Sequence, residues 1–495
     1  MFCLLAGGCG RVAFDPVSGE RDAGAALTLS YPQAALTAVV GVTPIALRPT
    51  INDRSARFSI QPALPAGLVL DPATGELRGI PSQVSDGIVH TVVATTATGS
   101  ASYAIELLVL PGYVVDTTED LADADGGVDT VCAAASGRCS LRAAIQTVNR
   151  RATKQLVLLD AASYPLGVAL EPVARDVVVA GHGASSTTLR AATVHGTYPA
   201  FTLATGATLA LRDLEVRGFG GTNGGALAVS AGTLDVDGCA FADNASPGSG
   251  GVLFITGGAR ATFARSLFEG NASLGGSGGG WGGAIDGEGR GTAIVVRESS
   301  ATRNTAAWGA FSHITTGTTL RLESTTLYGN GSTIAGTLAT PGGIYTLINA
   351  TIVNNTNTNP SSSSAGLYLH SAPGSYVVTN TLVASNRDID GAEVSCGRND
   401  PATAITSGGG NLFGDASASC AGYFTGIGDR LATDPMLDPA GAGDHGGPTP
   451  TILIQRRSPA VDGANDAACP AVDQRGVRRP SGAHCDIGAV ELTTP

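Results

Sequence analysis

Two tryptophans are the residues of this chain best suited to hold a ligand. Trp281 and Trp308 are the only tryptophans in the sequence, and each stands directly before a glycine that opens a turn. If the two turns occupy the same place in neighbouring repeats, the indole rings lie side by side on one flank, next to the Gly-rich segment 275–280. Exposed aromatic faces bind sugar rings through apolar contact. The alternative is that the two rings only cover a corner of the fold.

Two carboxylates are weak candidates for acid–base catalysis. Glu298 and Glu323 stand six and seven residues before the asparagines that close their repeats, so they fall near equal positions of adjacent repeats. Paired carboxylates on one face can hydrolyse a glycosidic bond. Arg297 and Arg321 are interleaved with them, which favours solvated ion pairs on the surface. We therefore assign no catalytic residue.

The other charged residues form no recognisable catalytic set. A polysaccharide lyase would need an Asp cluster for calcium and a Lys or Arg base on one face, and the repeats are poor in such groups. The remaining candidates are Asp237, Arg265, Asp286 and Glu288. The seven His residues are scattered without the spacing of metal ligands. We predict no metal site and no cofactor; calcium is possible but is not assigned.

These residues lie in a sequence pattern that recurs six times between residues 224 and 386. Each copy has a Gly-containing turn, an apolar strand, a second apolar strand and an Asn. The turns begin at Gly224, Gly250, Gly282, Gly309, Gly342 and Gly366. The asparagines, 25 to 33 residues apart, are Asn244, Asn271, Asn304, Asn330, Asn355 and Asn386. This period is typical of a solenoid, in which each repeat is one coil that buries its apolar side against its neighbours.

Two positions in each coil are expected to form ladders, because stacked coils lie about 4.8 Å apart. An Asn at a fixed corner tolerates a left-handed backbone, and its amide can hydrogen-bond to the Asn of the next coil. A mostly apolar position three residues before each Asn is expected to point inward. The residues at that position are Phe241, Phe268, Ala301, Leu327, Ile352 and Val383.

Composition excludes several classes of function. The chain has 495 residues, which is more than one ordinary domain. Its 69 glycines are about twice the usual share of ~7% and suit a fold rich in turns and small stacked residues. The net charge of -12 argues against a nucleic-acid partner. No run of 18 apolar residues follows the N-terminus, so no membrane-spanning segment is predicted.

The N-terminus, MFCLLAGGCG, resembles the end of a bacterial lipoprotein signal. In that reading Cys9 receives the lipid and becomes the first residue of the mature protein. The charged start of a signal peptide is missing, so we expect the true start to lie upstream. A chance apolar start on a soluble chain is the alternative. Export to a surface would permit disulfides.

The nine cysteines divide into groups. Cys3 would leave with the signal. Six others are close in sequence as pairs and suggest three local disulfides: Cys132 with Cys139, Cys396 with Cys420, and Cys469 with Cys485. Cys239 is left over, at a position where the other coils have Ser, Thr or Ala, so we expect it to be a small buried packing residue.

Residues 27–112 alternate short apolar strands with Pro, Gly and Asp, which predicts a β-sandwich. Within them, LPAGLVLDPATGELRGIPS at residues 64–82 closely resembles the bacterial family named "putative Ig domain", whose modules usually space or present other domains. The run Asp71–Gly75 is by itself a strong turn signal between two apolar strands.

Residues 113–154 resemble the Cys-Ser-Leu-Arg-Glu-Ala module that begins many bacterial surface β-helices. The matching residues are Cys139-Ser140-Leu141-Arg142-Ala143-Ala144, with Ala143 in place of the usual Glu. Apolar residues at 141, 145 and 148 predict a short helix, which would cap the open end of the solenoid. We expect Arg142 to pair with local carboxylates or backbone carbonyls rather than to act in catalysis.

The C-terminal region resembles that of the "choice-of-anchor Q" family of bacterial right-handed parallel β-helix proteins. The resemblance rests on motifs such as Gly446-Gly447-Pro448, Asp473-Gln474-Arg475-Gly476 and Cys485-Asp486-Ile487-Gly488. With the N-terminal module it covers residues 113–491. Members of that family end in varied anchor signals, whereas this chain stops at Pro495, which makes the lipid on Cys9 the expected anchor.

The sequence thus predicts an all-β protein: a right-handed single-stranded parallel β-helix of the pectin-lyase-like type, preceded by an Ig-like β-sandwich. Its expected parts are a truncated signal and tether (1–26), the sandwich (27–112), a capping module (113–154), the β-helix (155–430) and the family tail (431–495). We expect an exported, lipid-anchored protein of the bacterial outer membrane or cell surface.

The expected function is that of a non-enzymatic adhesin or a carbohydrate-binding protein. Its partners would be the membrane, through the lipid, and a polysaccharide or another cell surface. A surface polysaccharide lyase or glycoside hydrolase is the alternative, because parallel β-helices include such enzymes. A purely structural envelope protein is the third reading.

Overall fold

The chain forms an all-β structure with two units, which confirms the predicted fold class. The computed structural model describes residues 26–275, 280–359, 364–371, 373–415 and 421–493. One unit contains the chain up to Leu36 and Gly41–Val109 and has most strands of an Ig-like sandwich. The other contains Thr37–Val40 and the chain from Leu110 onward and has a parallel β-helix. None of the helices in these described ranges has the length and apolar character that a membrane span requires.

The N-terminal unit is built from antiparallel strands. One sheet has four strands in the order Ala35–Val39, Ser100–Leu110, Ser85–Thr95, Arg57–Gln61. A second sheet has three strands in the order Ile45–Leu47, Leu77–Gly79, Leu68–Leu70, and a third has the two strands Leu29–Ser30 and Thr50–Ile51. The predicted turn joins two of these strands. Asp71 Oδ1 accepts hydrogen bonds from the backbone N–H groups of Ala73 and Thr74, at 2.8 and 3.1 Å, which lowers the pKa of Asp71.

Four parallel sheets, named A to D in the order in which each coil visits them, form the β-helix. Sheet A contains Gly112–Val115, Gln155–Leu159, Val177–Ala180, Thr208–Arg212, Thr233–Asp237, Arg260–Ala264, Ala293–Arg297, Thr319–Glu323, Ile344–Ile348, Ser375–Thr379 and Ala404–Ser407. Sheet B contains Ser163–Leu166, Thr188–Ala191, Glu215–Arg217, Ala240–Ala242, Leu267–Glu269, Ser300–Thr302, Thr326–Tyr328, Thr351–Val353, Leu382–Ala384 and Leu412–Phe413.

Sheets C and D complete the coil and are shorter. Sheet C contains Ala245–Ser246, Ala272–Ser273, Thr305–Trp308, Gly331–Ala335, Thr356–Asn357 and Arg387–Asp388. Sheet D contains Phe201–Leu203, Leu227–Ser230, Leu253–Thr256, Ile285–Gly287, Ser312–Ile314, Leu338–Thr340, Leu367–Leu369 and Cys396–Arg398. A full coil therefore has three strands before its Asn and a short fourth strand after it, where the sequence pattern predicted only two.

One predicted turn is wrong. Four of the other predicted turns, at residues 224, 250, 282 and 309, lead into sheet D, and Gly366 directly precedes a sheet D strand. In contrast, Gly342 and Gly343 lead into Ile344–Ile348 of sheet A, and the corresponding turn of that coil is at Gly336, before Leu338–Thr340. The turn at Gly336 lacks a Gly-Gly pair, whereas the connection from sheet D to sheet A happens to contain one.

The six asparagines form the predicted ladder at the corner between sheets B and C. Each side chain is fully buried, and Nδ2 of each of the first five donates to Oδ1 of the Asn in the next coil at 2.8–3.0 Å. Nδ2 of the last, Asn386, donates to the Ile352 carbonyl and to Ser395 Oγ. The left-handed backbone was expected at the Asn, but the structure places it one residue earlier, at Asp243, Gly270, Arg303, Gly329, Asn354 and Ser385. The bend thus precedes the Asn, which leaves the Asn amide free to turn inward and join the ladder.

The core lies between the sheets and is stacked coil upon coil. All six residues expected to point inward from sheet B are at most 1% exposed, and they pair in register along the sheet. Phe241 stacks on Phe268 with ring centroids 5.6 Å apart. Tyr345 and Tyr376 stack inside the later coils at 4.9 Å, and burial raises the pKa of both phenols.

The predicted helix closes the N-terminal end of this core. It spans Leu141–Val148, and Ser140 caps it by accepting from the N–H of Ala143. Its buried side chains join the same apolar cluster as the first strands of sheet A. Arg142 binds both oxygens of Asp120, at 2.7 and 3.0 Å, and donates to the carbonyls of residues 168 and 169. The structural role expected for Arg142 is confirmed.

The C-terminal tail covers the outer face of sheet B. Its strands Leu437–Gly443 and Thr451–Ile454 pair antiparallel, and 3-10 turns occur at Ala421–Tyr423, just before the tail, and at Asp466–Ala468 within it. Ile452, Ile454, Ile487 and Val490 pack against outward leucines of sheet B such as Leu382 and Leu412. The tail therefore packs over the outer face of sheet B.

The cysteines behave as expected where the structure describes them. Cys132 is bonded to Cys139, and Cys469 to Cys485. Cys239 is a free, buried thiol whose pKa is raised by burial, as suits a packing residue. Cys9 and Cys420 lie outside the described residues, so the lipid and the third disulfide stay predictions.

Candidate functional site

The two tryptophans occupy the same place in neighbouring coils, just before sheet D. They pair with each other as a parallel β-bridge, which confirms their common register. The backbone N–H of Gly282 donates to the carbonyl of Trp308 at 2.9 Å, and the N–H of Trp308 donates to the carbonyl of Gly280 at 2.8 Å. Both side chains are half-buried. The glycine turns therefore fix the two indoles by their backbones, on one flank of the β-helix.

A cleft opens beside these two rings. Its volume is about 190 Å³, which is below the ~300–1,000 Å³ of pockets that enclose drug-sized ligands. The cleft is lined by Trp281, Trp308, His313, Ala339, Thr340, Pro341 and His370. A space of this size suits one ring of a longer ligand rather than the whole ligand.

Each indole packs against a histidine. Trp281 stacks on His313 with centroids 6.0 Å apart and planes 25° apart. Trp308 meets His370 edge-on at 5.0 Å and 87°, and it also lies 6.0 Å from the ring of Tyr368. The site is therefore a mixed wall of indole and imidazole groups, which offers both apolar ring faces and polar edges.

The histidine under Trp281 belongs to a polar pair on the outer face of sheet D. His313 and Asp286 are direct neighbours in register, and His313 Nδ1 lies 2.8 Å from Asp286 Oδ1. Because an ionised carboxylate only accepts hydrogen bonds, the ring hydrogen is assigned to Nδ1. Asp286 is fully buried, and its Oδ2 has no hydrogen-bond partner among the described residues.

A second carboxyl group lies close to this pair. Glu288 follows Asp286 by two residues, so the two side chains point to the same side of the extended backbone. The pKa of Glu288 is raised, chiefly by burial and further by the negative charge of Asp286, while His313 acts in the opposite direction. Three titratable groups are therefore electrostatically coupled here, and of the three His313 is the one that lines the cleft.

Glu298 and Glu323 lie elsewhere, at the corner between sheets A and B. Glu298 pairs with Arg297 at 3.0 Å, and Glu323 pairs with Arg321 at 2.5 Å. The sheet register sets Glu323 beside Arg297, so the two carboxylates are offset by one residue. Each carboxylate has its own arginine, and neither lines the cleft.

Sequence reasoning named Asp286 as a candidate and counted His313 among the seven scattered histidines, but it did not join the two. The signal was present: Asp286 is four residues after Gly282, and His313 is four residues after Gly309. Alignment on the glycine turns alone would have placed them side by side. His370 and Tyr368 lacked such a signal, because the turn of the intervening coil was assigned to Gly342.

No group of three His, Cys, Asp or Glu side chains that could hold a metal ion occurs in the described ranges of the chain. The groups in and next to the cleft are aromatic faces, imidazole nitrogens and carboxyl groups. Such groups bind sugars by ring contact and hydrogen bonds to hydroxyls, and in principle they transfer protons.

Comparison with known proteins identifies one module. Residues 22–109 match the family model described as "Putative Ig domain", so the chain contains such a domain at its N-terminal end. No curated protein matches the chain. Among solved structures, "Geobacillus virus E2 - ORF18" is similar over 67% of this chain and 69% of its own, with 9% identity and a TM-score of 0.31.

Proposed function

We propose that this protein is an exported surface protein that binds carbohydrate in the cleft of Trp281 and Trp308. The observation that carries the proposal is the common register of the two indoles beside an open cleft. An Ig-like domain followed by a parallel β-helix is a build consistent with adhesin-like and carbohydrate-active proteins.

The chemistry of the wall supports a sugar rather than a purely apolar ligand. A sugar ring has an apolar face, which packs against indole, and a rim of hydroxyls, which require polar partners. Here the indoles alternate with His313 and His370, so both kinds of contact are available within one cleft. A wholly apolar ligand would leave the imidazole edges without partners, which costs free energy.

Attachment to the cell is the second part of the proposal. Cys9 carries the lipid in the mature protein, and the chain from residue 113 is a member of the choice-of-anchor Q type. The tail supports this family assignment, because its motif residues Asp473 and Arg475 form one compact network with Glu491. Metabolic labelling with a fatty-acid analogue tests the anchor: label on wild type and none on Cys9→Ser is expected.

A glycan array tests the binding function. We expect wild type to bind a subset of glycans, and Trp281→Ala and Trp308→Ala each to weaken binding about fivefold or more, because each stacked ring contributes ~1 kcal/mol. Ile344→Ala, which changes an exposed apolar residue on sheet A, is the matched control and should bind as wild type does. Absence of any glycan binding by wild type would refute the proposal.

A polysaccharide hydrolase or lyase is the second candidate, and one observation favours it. Glu288, with its raised pKa, lies near the buried Asp286–His313 pair, and a carboxyl of raised pKa is a candidate general acid. A panel of neutral and uronic-acid polysaccharides, assayed with and without calcium, separates the two candidates. Activity that Glu288→Gln abolishes would establish the enzyme; activity abolished by Glu298→Gln or Glu323→Gln would move the active site to the other corner.

A further inference from the structure

The Asp286–His313 pair interrupts a ladder that is otherwise apolar or small. The same outward position of sheet D holds Phe254 in the coil before and Ala339 and Tyr368 in the two coils after. Of these three side chains, only that of Tyr368 has a polar group, its phenol hydroxyl. Burying a carboxylate in such a place is costly unless it is paired, so packing alone gives no reason for Asp286.

The pair directs one imidazole atom toward the cleft. Asp286 holds His313 through Nδ1, which fixes the ring position; in the neutral imidazole with its hydrogen on Nδ1, Nε2 is an acceptor. His313 lines the cleft, and no other described group hydrogen-bonds to its ring. Nε2 is therefore a preorganised acceptor beside the face of Trp281, and Asp286 is the residue that positions it.

Two acidic groups adjoin His313, which lines the cleft. Asp286 and Glu288 are both acidic, and no Lys or Arg is among the residues that line the cleft. An acidic sugar is normally held by Arg or Lys, which bind its carboxylate by charge-assisted hydrogen bonds. Here a second carboxylate would instead approach a buried Asp that has only one hydrogen-bonded oxygen.

We propose that His313, positioned by Asp286, accepts a hydrogen bond from a hydroxyl of a neutral sugar and so selects neutral over acidic glycans. This inference rests on the proposed carbohydrate-binding function. It assigns the apolar contact to the indoles, the polar contact to Nε2 of His313, and the rejection of uronic acids to the two carboxyl groups.

Calorimetric titration tests the selection. The probes are neutral hexasaccharides of glucose, mannose and galactose, and the acidic hexamers of galacturonate and mannuronate. We expect wild type to bind at least one neutral hexamer and to bind each acidic hexamer at least tenfold more weakly. Tighter binding of an acidic hexamer would overturn the inference while leaving carbohydrate binding intact.

His313→Asn is the decisive variant, because the Asn amide can still donate to Asp286 while Nε2 is removed. We expect about a tenfold loss of affinity for the neutral hexamer, the size of one lost hydrogen bond. If Trp281→Ala weakens binding and His313→Asn does not, the role of His313 is refuted and the proposed function stands. If wild type binds none of the probes, this inference falls, and the glycan array decides the proposed function separately.

Asp286→Asn tests the positioning role separately. An amide can donate to Nδ1, which moves the ring hydrogen to Nε2 and removes the acceptor. ¹⁵N NMR of the imidazole is expected to report the Nδ1–H form in wild type and the Nε2–H form in the variant. An unchanged tautomer together with unchanged affinity would show that Asp286 does not position His313.

Discussion

The outer faces of sheets B and D differ in how their polar groups are satisfied. On sheet B, the hydroxyls of Ser300, Thr326 and Thr351 stand in register, and each hydrogen-bonds to the tail. On sheet D, Asp286 and His313 stand in register, and their second polar atoms have no partner among the described residues. A face whose polar groups are all paired within the chain is structural, whereas a face with free polar atoms beside a cleft has capacity for a ligand.

The cover of sheet B depends on a buried ion pair, which gives the largest predicted effect. Arg479 and Glu491 are 0% and 1% exposed in their side chains and lie 3.1 Å apart. Arg479→Ala leaves Glu491 buried without its partner, and we expect it to destabilise the docked tail by roughly 3–5 kcal/mol. Hydrogen exchange of the strand Thr451–Ile454 measures this opening.

The control for that experiment is the double variant Arg479→Met/Glu491→Leu, which removes both charges and should recover much of the loss. Sugar binding at the cleft should persist in both variants. If sugar binding decreases as the tail opens, the outer faces of sheets B and D are coupled, and the contrast between a structural face and a binding face is contradicted.

A pH effect of intermediate size is expected in the same tail. Burial raises the pKa of Asp486 from 3.8 to about 6, so its carboxyl prefers the proton in the folded tail. The stability that the protonated Asp486 carboxyl gives the folded tail is therefore complete below pH 3.8 and is lost as the pH rises through about 6. The lost free energy amounts to roughly 3 kcal/mol.

Asp486→Asn resembles the protonated form and is the matched comparison. We expect the tail of this variant to gain stability relative to wild type between pH 4 and pH 8, measured as exchange rates of the same strand at each pH. A difference between the two proteins that does not vary with pH would contradict the assignment to Asp486.

The smallest effect is expected at the corner between sheets A and B. Glu298→Gln and Glu323→Gln each remove a partly exposed ion pair, which contributes about 0–1 kcal/mol. We expect little change in melting temperature and unchanged affinity for sugar. A large decrease in the melting temperature or in the affinity for sugar would show that this corner also takes part in stability or binding, in addition to sheets B and D.

Much of the fold follows from local sequence. The coil period, the Asn ladder, the inward residues from Phe241 to Val383 and the helix at Leu141 all depend on residues within one coil or one turn. Local patterning also predicted the pairing of Arg142, because an arginine beside an acidic segment and a capped helix finds carboxylates and carbonyls nearby.

The parts that sequence reasoning missed depend on long-range register. The tail reaches back 174 residues from Gln474 to Ser300, and no local pattern indicates which sheet it covers. The Asp286–His313 pair depends on the alignment of two glycine turns that are 27 residues apart, Gly282 and Gly309. The left-handed residue before each Asn varies among Asp, Gly, Arg, Asn and Ser, so it carries no common residue type.

The tail has a consequence for how this protein can change length. It hydrogen-bonds to residues from Glu298 to Gly408, and so it contacts several coils in a fixed register. A duplicated coil between Asn244 and Asn271 would only lengthen the β-helix on the N-terminal side of the tail contacts. A duplicated coil between Asn330 and Asn355 would shift every later contact by one step, so we expect repeat-number variants to be tolerated only in the earlier coils.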